Sequence, residues 1–175
     1  MLDASGAFES VIWDKIFPCL AKNNNPKIIK AIWQMYRYNR YVVRWKNSQS
    51  EKSYYCTQGT KQGGLLSGPI FVEYMNLLGT RLAKEGGIQF NNSLWNSLFY
   101  ADDVILVCLN MFQAQTLLNI CESFQTEGYV KWNASKTVVI KLTTEATRSP
   151  SSLEKKVSSG LVLNNESLEL KENGK

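Results

Sequence analysis

The chain has 175 residues, of which 20 are Lys or Arg, 15 are Asp or Glu, and none is His. Without an imidazole, a Ser-His-Asp or Cys-His nucleophile system and a catalytic zinc site with His ligands are excluded. The four cysteines form no C-x-x-C pair, which predicts buried thiols and not a zinc or redox site. No signal peptide or transmembrane stretch is evident. We therefore expect an intracellular protein, in the nucleus or cytoplasm, that is neither secreted nor membrane-spanning.

Positive charge is concentrated in one part of the chain. Ten basic residues and only two acidic ones lie between Asp14 and Lys61, where Trp and Tyr residues are interleaved with them. This pattern suits phosphate contacts combined with stacking on bases. It also fits a solvated helix face whose aromatic side chains lie in the core, and charge alone slightly favours that second interpretation.

Hydrophobic periodicity and turn residues predict an alternation of helices and strands. The first predicted elements are a helix over 8–20, a helix that begins at Pro26 after the N-cap Asn25, and a hairpin of strands 41–46 and 53–57. A glycine-rich loop over 59–68, a helix from Ser67 to the region of Lys84 and a hairpin of strands 96–100 and 104–109 follow. The last predicted elements are a helix over 113–126, a strand over 138–142 and an incomplete hairpin over 161–168 with Asn164 and Asn165 in its turn.

The sharpest chemical signal is the sequence Tyr100-Ala101-Asp102-Asp103. It places two adjacent carboxylates in the turn of a predicted hairpin, and carboxylate oxygens are ligands that Mg²⁺ prefers. Asp residues also form turns without any ligand, and for this motif taken alone that explanation is favoured.

Three further blocks accompany this motif, and together the four resemble the palm of reverse transcriptases, particularly those of LINE-type non-LTR retrotransposons. The blocks are DASGAFESV from Asp3, GTKQGGLLSGPIF from Gly59, YADD from Tyr100 and NASKT from Asn133, with the linking stretch VVRWKNSQSEKSYYCTQG from Val42. The resemblance covers residues 2 to 142 and implies an α+β fold, with an antiparallel sheet and a catalytic hairpin packed on helices. It divides the chain into a palm domain over 1–142, without fingers or thumb, and a polar linker with a partial hairpin over 143–175.

The resemblance also implies an activity and a set of ligands. The activity is that of an RNA-directed DNA polymerase, whose partners are an RNA template, a DNA primer and deoxynucleoside triphosphates. Asp3, Asp102 and Asp103 would be metal ligands and catalytic residues for two Mg²⁺ ions, with Mn²⁺ as an alternative. Lys136 would be a catalytic general acid that protonates the leaving pyrophosphate, although a plain surface lysine fits equally well. No membrane partner is expected, and no oligomeric state is predicted.

By the same resemblance, a further group of residues would bind the incoming nucleotide. These residues are Ala4, Phe8, Gln62, Gly63 and Tyr100. Phe8 would lie under the sugar and reject a 2′-hydroxyl, the group that distinguishes RNA from DNA. A core position for Phe8 and a flexible loop at Gly63 are the structural alternatives.

The sequence departs from the family pattern at Gly6, Glu9 and Gly68, none of which is a metal ligand. Asp3 is only the third residue, and the fingers expected before it are missing. Two other functions therefore stay open. One is a non-catalytic retroelement remnant that binds RNA or has no activity alone, and the other is another palm-type enzyme, such as an RNA-dependent RNA polymerase.

Overall fold

The structure, a computed structural model, describes residues 1–61, 63–141 and 157–172. In these residues the helices are α1 Trp13–Asn23, α2 Pro26–Arg37, α3 Ser67–Leu82 and α4 Met111–Thr126. The strands are β1 Ala4–Ser5, β2 Arg40–Tyr41, β3 Arg44–Trp45, β4 Ser48–Gln49, β5 Tyr54–Tyr55, β6 Ile88–Phe90, β7 Ser93–Trp95, β8 Ser97–Tyr100, β9 Asp103–Leu106, β10 Lys131–Trp132, β11 Val138–Lys141, β12 Val157–Leu163 and β13 Glu166–Glu172.

The chain forms two compact units. One is continuous, Phe8–Tyr74, and the other is discontinuous, formed by Met1–Ala7 together with Met75–Lys175. We call them the Phe8–Tyr74 unit and the discontinuous unit, and describe each by itself.

In the Phe8–Tyr74 unit, the neighbouring residues determine where α2 begins but not where α1 begins. Helix α2 begins at Pro26 as predicted, and the Asn25 side chain accepts a hydrogen bond from the Lys27 amide at 3.0 Å. The predicted helix over 8–20 is wrong at its start, because α1 begins only at Trp13 and a 3₁₀ turn precedes it at Phe8–Ser10. The reason is tertiary. The Gly59 amide donates to the Val11 carbonyl at 2.7 Å, and the Thr60 amide donates to the Phe8 carbonyl at 2.8 Å.

The core of this unit is aromatic. The rings of Trp13 and Phe17 on α1 pack edge-on against Tyr36 on α2, with ring centroids 5.7 and 5.8 Å apart. The first half of α3 adds the fully buried side chains of Phe71 and Tyr74. Large aromatic rings bury much apolar surface, so these side chains contribute strongly to the stability of the unit.

The predicted hairpin after α2 is confirmed as an antiparallel ribbon. Strand β2 pairs with β5, and β3 pairs with β4, so the chain folds back on itself between Arg40 and Tyr55. The turn lies between Trp45 and Ser48, where Lys46 has a positive φ of 53°. The ladders are therefore shorter and more interrupted than the continuous strands that β propensity predicts.

In the discontinuous unit, α4 packs against strands on its apolar face. The predicted stripe of this helix is confirmed, because Leu117, Leu118, Cys121 and Phe124 are buried. The indole of Trp132 in β10 donates a hydrogen bond to the Cys121 carbonyl at 2.7 Å, which ties that strand to the helix.

The C-terminal hairpin joins a three-stranded sheet in the order β11–β13–β12, in which β11 and β13 are parallel. Asn164 and Asn165 form its turn with φ values of 53° and 63°, as predicted. Its second strand is longer than the sequence indicated and runs over Glu166–Glu172. The predicted domain boundary between 142 and 143 lies outside the described residues.

The prediction of an α+β fold is confirmed at the level of mixed helices and small sheets. Across the described parts of the chain, no helix combines the length and the apolar character that crossing a bilayer requires.

Candidate active site

The N-terminal strand brings the first predicted carboxylate next to the second carboxylate block. The Leu2 amide donates to the Val104 carbonyl at 2.7 Å, and the Val104 amide donates to the Leu2 carbonyl at 3.4 Å. Residue numbers run in opposite directions along antiparallel partners, so the register beside this bridge sets Asp3 opposite Asp103. The bridge thus joins two segments that are about a hundred residues apart in sequence.

The other edge of the same strand is held by the Lys-bearing block. The Asp3 amide donates to Oγ1 of Thr137 at 3.3 Å, and the Asn133 amide donates to the Asp3 carbonyl at 2.9 Å. Thr137 Oγ1 in turn donates to the Asn133 carbonyl at 2.8 Å. The backbone of Asp3 is therefore fixed by Asn133 and Thr137. Both residues belong to the NASKT motif, but the sequence alone predicts no role for either of them.

Asp102 and Asp103 lie at the tip of the β8–β9 hairpin, as predicted. Tyr100 pairs with Asp103, so the turn between the strands consists of Ala101 and Asp102. Ala101 has a φ of 52°, a left-handed conformation that a residue with a Cβ rarely adopts. Backbone strain of this kind is commonly found at functional sites.

The base of this hairpin is anchored by a buried amide. The Asn96 side chain donates to the carbonyl of Leu82, the last residue of α3, at 2.6 Å and to the Glu85 carbonyl in the following turn at 3.3 Å. The Asn96 carbonyl accepts a hydrogen bond from the Val107 amide at 2.8 Å. Asn96 thus ties the base of the hairpin to the end of α3 and to the turn that follows it.

The three carboxylates are half-buried, and among the described residues none of their oxygens has a hydrogen-bond or ion-pair partner. In the same residues, no three His, Cys, Asp or Glu side chains lie together as a metal cluster. Carboxylate oxygens alone suit a hard divalent cation. Mg²⁺ at nucleotide sites is held by one or two carboxylates, and water and substrate phosphates complete its coordination.

The remaining predicted residues of the discontinuous unit lie on adjoining elements. Lys136 is exposed in the turn from Asn133 to Thr137, and its amide donates to the Asn133 carbonyl at 3.3 Å. Ala4 is in β1, paired with Trp132, and Tyr100 ends β8 with its side chain 84% exposed. The turn that carries Lys136 is thus the same turn that holds the Asp3 backbone.

The other predicted nucleotide-binding residues belong to the Phe8–Tyr74 unit. The half-buried Phe8 ring stacks on the buried Phe71 ring, with centroids 4.6 Å apart, so Phe8 packs at the edge of the core. Gly63 has a φ of 76° in an exposed loop where an added Cβ would meet no atom within 4 Å. Gln62 lies outside the described residues. A role for these residues in nucleotide binding stays a prediction.

The prediction that all four cysteines are buried is wrong. Only Cys121 is buried, Cys19 and Cys108 are half-buried, and Cys56 is exposed. Burial raises the pKa of the Cys121 thiol to about 12 and also raises the pKa of Cys108. Cys56 is exposed because it directly follows β5 of the ribbon, both faces of which are open to solvent.

Two comparisons with known proteins bear on this site. The family model described as "Reverse transcriptase (RNA-dependent DNA polymerase)" matches residues 1–158, which include every predicted site residue. The chain is also 30% identical over 143 residues to the "Retrovirus-related Pol polyprotein from type-2 retrotransposable element R2DM" of Drosophila melanogaster. That match covers 80% of this chain and 13% of the relative, so the chain spans a small fraction of the relative's length.

Proposed function

Because the chain belongs to the reverse transcriptase (RNA-dependent DNA polymerase) family, we propose that it supplies the palm of a retrotransposon polymerase that copies RNA into DNA. Its substrates would be a primed RNA template and deoxynucleoside triphosphates. The observation that carries this proposal is the Leu2–Val104 bridge, which sets Asp3 opposite Asp103 and beside the turn that contains Asp102.

Asp3, Asp102 and Asp103 are the residues that would hold two Mg²⁺ ions. The ions, when bound, activate the primer 3′-hydroxyl and neutralise charge on the triphosphate. The protein's contribution is to fix the carboxylates beforehand. Asn133 and Thr137 hold the backbone of Asp3, and the short turn at Ala101 holds Asp102. Such preorganisation is a large part of catalysis in phosphoryl transfer.

In the reaction, the primer 3′-oxygen forms a bond to the α-phosphorus of the incoming nucleotide. The bond from that phosphorus to the bridging oxygen of pyrophosphate breaks, and the hydroxyl proton passes to solvent. Lys136 gives a proton to the departing pyrophosphate, a role that its exposed ammonium group on the turn beside Asp3 allows. Lys136 would thus couple proton transfer to release of the leaving group.

Nucleotide selection is assigned to the remaining residues. Phe8 rejects the 2′-hydroxyl of a ribonucleotide, and its stacking on Phe71 would keep the ring rigid enough to do so. By the family resemblance, Gln62 and Gly63 would contact the nucleotide and template, and the missing side chain of Gly63 would permit close approach. In the discontinuous unit, Ala4 and Tyr100 would also contact the nucleotide.

Primer extension on an RNA template with Mg²⁺ and deoxynucleotides tests the proposal. Asp102→Asn keeps the shape of the side chain and removes its charge, so we expect extension to fall by on the order of 100-fold. Asp14→Asn removes an exposed charge in α1 and is the matched control. Phe8→Ala should increase the incorporation of ribonucleotides relative to deoxynucleotides.

Extension that is equally fast in Asp102→Asn and in the unchanged chain contradicts the proposed chemistry. A chain that extends nothing, binds no Mn²⁺ and binds RNA equally well before and after Asp3→Asn is a non-catalytic remnant. A preference for ribonucleotides in the unchanged chain identifies an RNA-dependent RNA polymerase instead.

A further inference from the structure

The ribbon formed by residues 40–55 exposes large aromatic side chains. Trp45 is 75% exposed, and Tyr54 and Tyr55 are 54% and 55% exposed. A two-stranded ribbon is only marginally stable on its own, and exposed apolar clusters on it point to a binding surface. We call residues 40–55 the exposed ribbon.

The charge around the exposed ribbon has one sign. Glu51 is the only acidic residue between positions 37 and 61. The basic residues in that stretch are Arg37, Arg40, Arg44, Lys46, Lys52 and Lys61. Within the part of the chain that the structure describes, none of these six forms an ion pair with a carboxylate. Their charges are therefore free to contact phosphates.

Cations and rings alternate in space as well as in sequence. The Arg40 guanidinium lies 5.5 Å from the centroid of the Tyr55 ring, on the paired strand. Arg44 is on β3, and its Nε donates to the side-chain oxygen of Gln49 on the paired strand β4 at 3.1 Å. Lys61 lies 5.5 Å from the centroid of the Tyr41 ring. A base stacked on such a ring would place its phosphate next to a cation.

We propose that the exposed ribbon binds single-stranded RNA, with bases stacked on its Trp and Tyr rings and phosphates on its Arg and Lys side chains. Unpaired bases present the flat faces that rings stack on, whereas the bases of a duplex are already stacked on each other. The proposal deepens the proposed function, because it names where the RNA template is held.

RNA binding is measured by fluorescence anisotropy with the complete 175-residue chain and a labelled oligouridylate of about 20 nucleotides. A duplex RNA of the same length serves as competitor. Trp45→Leu keeps an apolar side chain but removes the ring, so we expect the affinity to fall roughly 5- to 100-fold. Trp45→Phe keeps a ring and should retain most of the affinity. Phe112→Leu is the matched control, because Phe112 is an 84% exposed aromatic residue in α4.

A second arm tests the charges through the salt dependence of binding. Arg44→Gln should reduce the slope of log K against log salt concentration by roughly 0.7, the value for one lost phosphate contact on a single strand. Lys84→Gln removes an exposed charge elsewhere and should leave the slope unchanged. Circular dichroism of each variant checks that the fold is retained.

Three results would overturn the proposal: equal weakening by Trp45→Leu and Phe112→Leu, duplex RNA that competes as well as the single strand, or no RNA binding at low salt. The assay contains no deoxynucleoside triphosphate and no Mg²⁺. A failure of ribbon binding is therefore separate from a failure of polymerase chemistry.

Discussion

The buried hydroxyl of Thr137 accepts a hydrogen bond from the backbone amide of Asp3 at 3.3 Å, across 134 positions of the sequence. The same hydroxyl donates to the Asn133 carbonyl at 2.8 Å. One side chain therefore satisfies a donor on the strand that carries the first carboxylate and an acceptor in the turn that carries Lys136. Thr137 links two of the four motifs that define this chain.

Thr137→Val should lower the free energy of unfolding by about 1–3 kcal/mol. Valine has the same shape but no oxygen, so the Asp3 amide and the Asn133 carbonyl each lose a partner. Urea unfolding followed by tryptophan fluorescence measures the change. Thr80→Val is the control, because Thr80 is exposed in α3, and an equal loss in both variants would contradict the role of Thr137.

Ala101→Gly should stabilise the fold by up to about 1 kcal/mol, because glycine adopts the positive φ of this turn without steric cost. Ala31→Gly is the control, and it should change the stability in the opposite direction. Ala31 is exposed in α2, where glycine costs about 1 kcal/mol. The unfolding midpoints of the two variants should move in opposite directions, and a parallel decrease would show that Ala101 is unstrained.

Gly59→Ala should destabilise the protein by about 1–3 kcal/mol. Gly59 has a φ of 86°, and an added Cβ would lie 3.2 Å from the Cα of Glu9. Gly68→Ala is the matched control, since a Cβ there meets nothing within 4 Å and alanine favours the first turn of α3. Thermal unfolding of both variants compares them, and the prediction fails if the Gly59 variant is as stable as the Gly68 variant.

Arg81→Gln should lower the free energy of unfolding by about 1 kcal/mol, a value that already allows for solvent screening of a partly exposed ion pair. Two guanidinium nitrogens contact the Glu127 carboxylate at 2.5 and 2.7 Å, and the guanidinium lies 5.2 Å from the Phe124 ring centroid. Glu127→Gln should lower the free energy of unfolding by less, because it leaves the contact between the Arg81 guanidinium and the Phe124 ring intact. A double-mutant cycle in urea separates the two contributions, and zero coupling would rule out the ion pair.

Thiol labelling should distinguish the four cysteines by exposure. Cys56 should react within the first phase, whereas Cys121 should react only on unfolding, since burial raises its pKa to about 12. The unfolded thiol ionises near its ordinary value of 9.0. The ionisation of Cys121 therefore has no effect on stability below that pH and lowers stability as the pH rises from 9.0 toward 12. Cys121→Ser should flatten this decrease, and unchanged alkaline unfolding would contradict it.

The features that the sequence predicts well are local. Asn25 and Pro26 determine the start of α2 within a few residues, and Asn164 and Asn165 determine a turn by their own conformational preferences. The start of α1 was wrong because hydrogen bonds from Gly59 and Thr60 hold the preceding segment outside the helix. No local pattern contains that information.

In the candidate site too, the sequence predicts the motifs but not the contacts that fold them together. Motif order indicated the family, and the family model and the retrotransposon relative confirm the resemblance to LINE-type reverse transcriptases. The neighbourhood of Asp3 depends on Thr137 and Val104, which only the folded chain brings to it. The assigned roles of Phe8, Gln62 and Lys136 stay predictions.

The strand around Asp3 has consequences for how the protein is made. Its partners on both edges are about 100 to 135 residues further along, so a ribosome produces Asp3 long before anything can hold it. Until Val104 and Thr137 have been synthesised, the segment around Asp3 lacks these two partners, and an unpaired edge of this kind is prone to pair with other chains. The hairpin with Asp102 and Asp103 forms from local contacts. Asp3 therefore takes its place beside Val104 and Thr137 only after both of these residues have been synthesised.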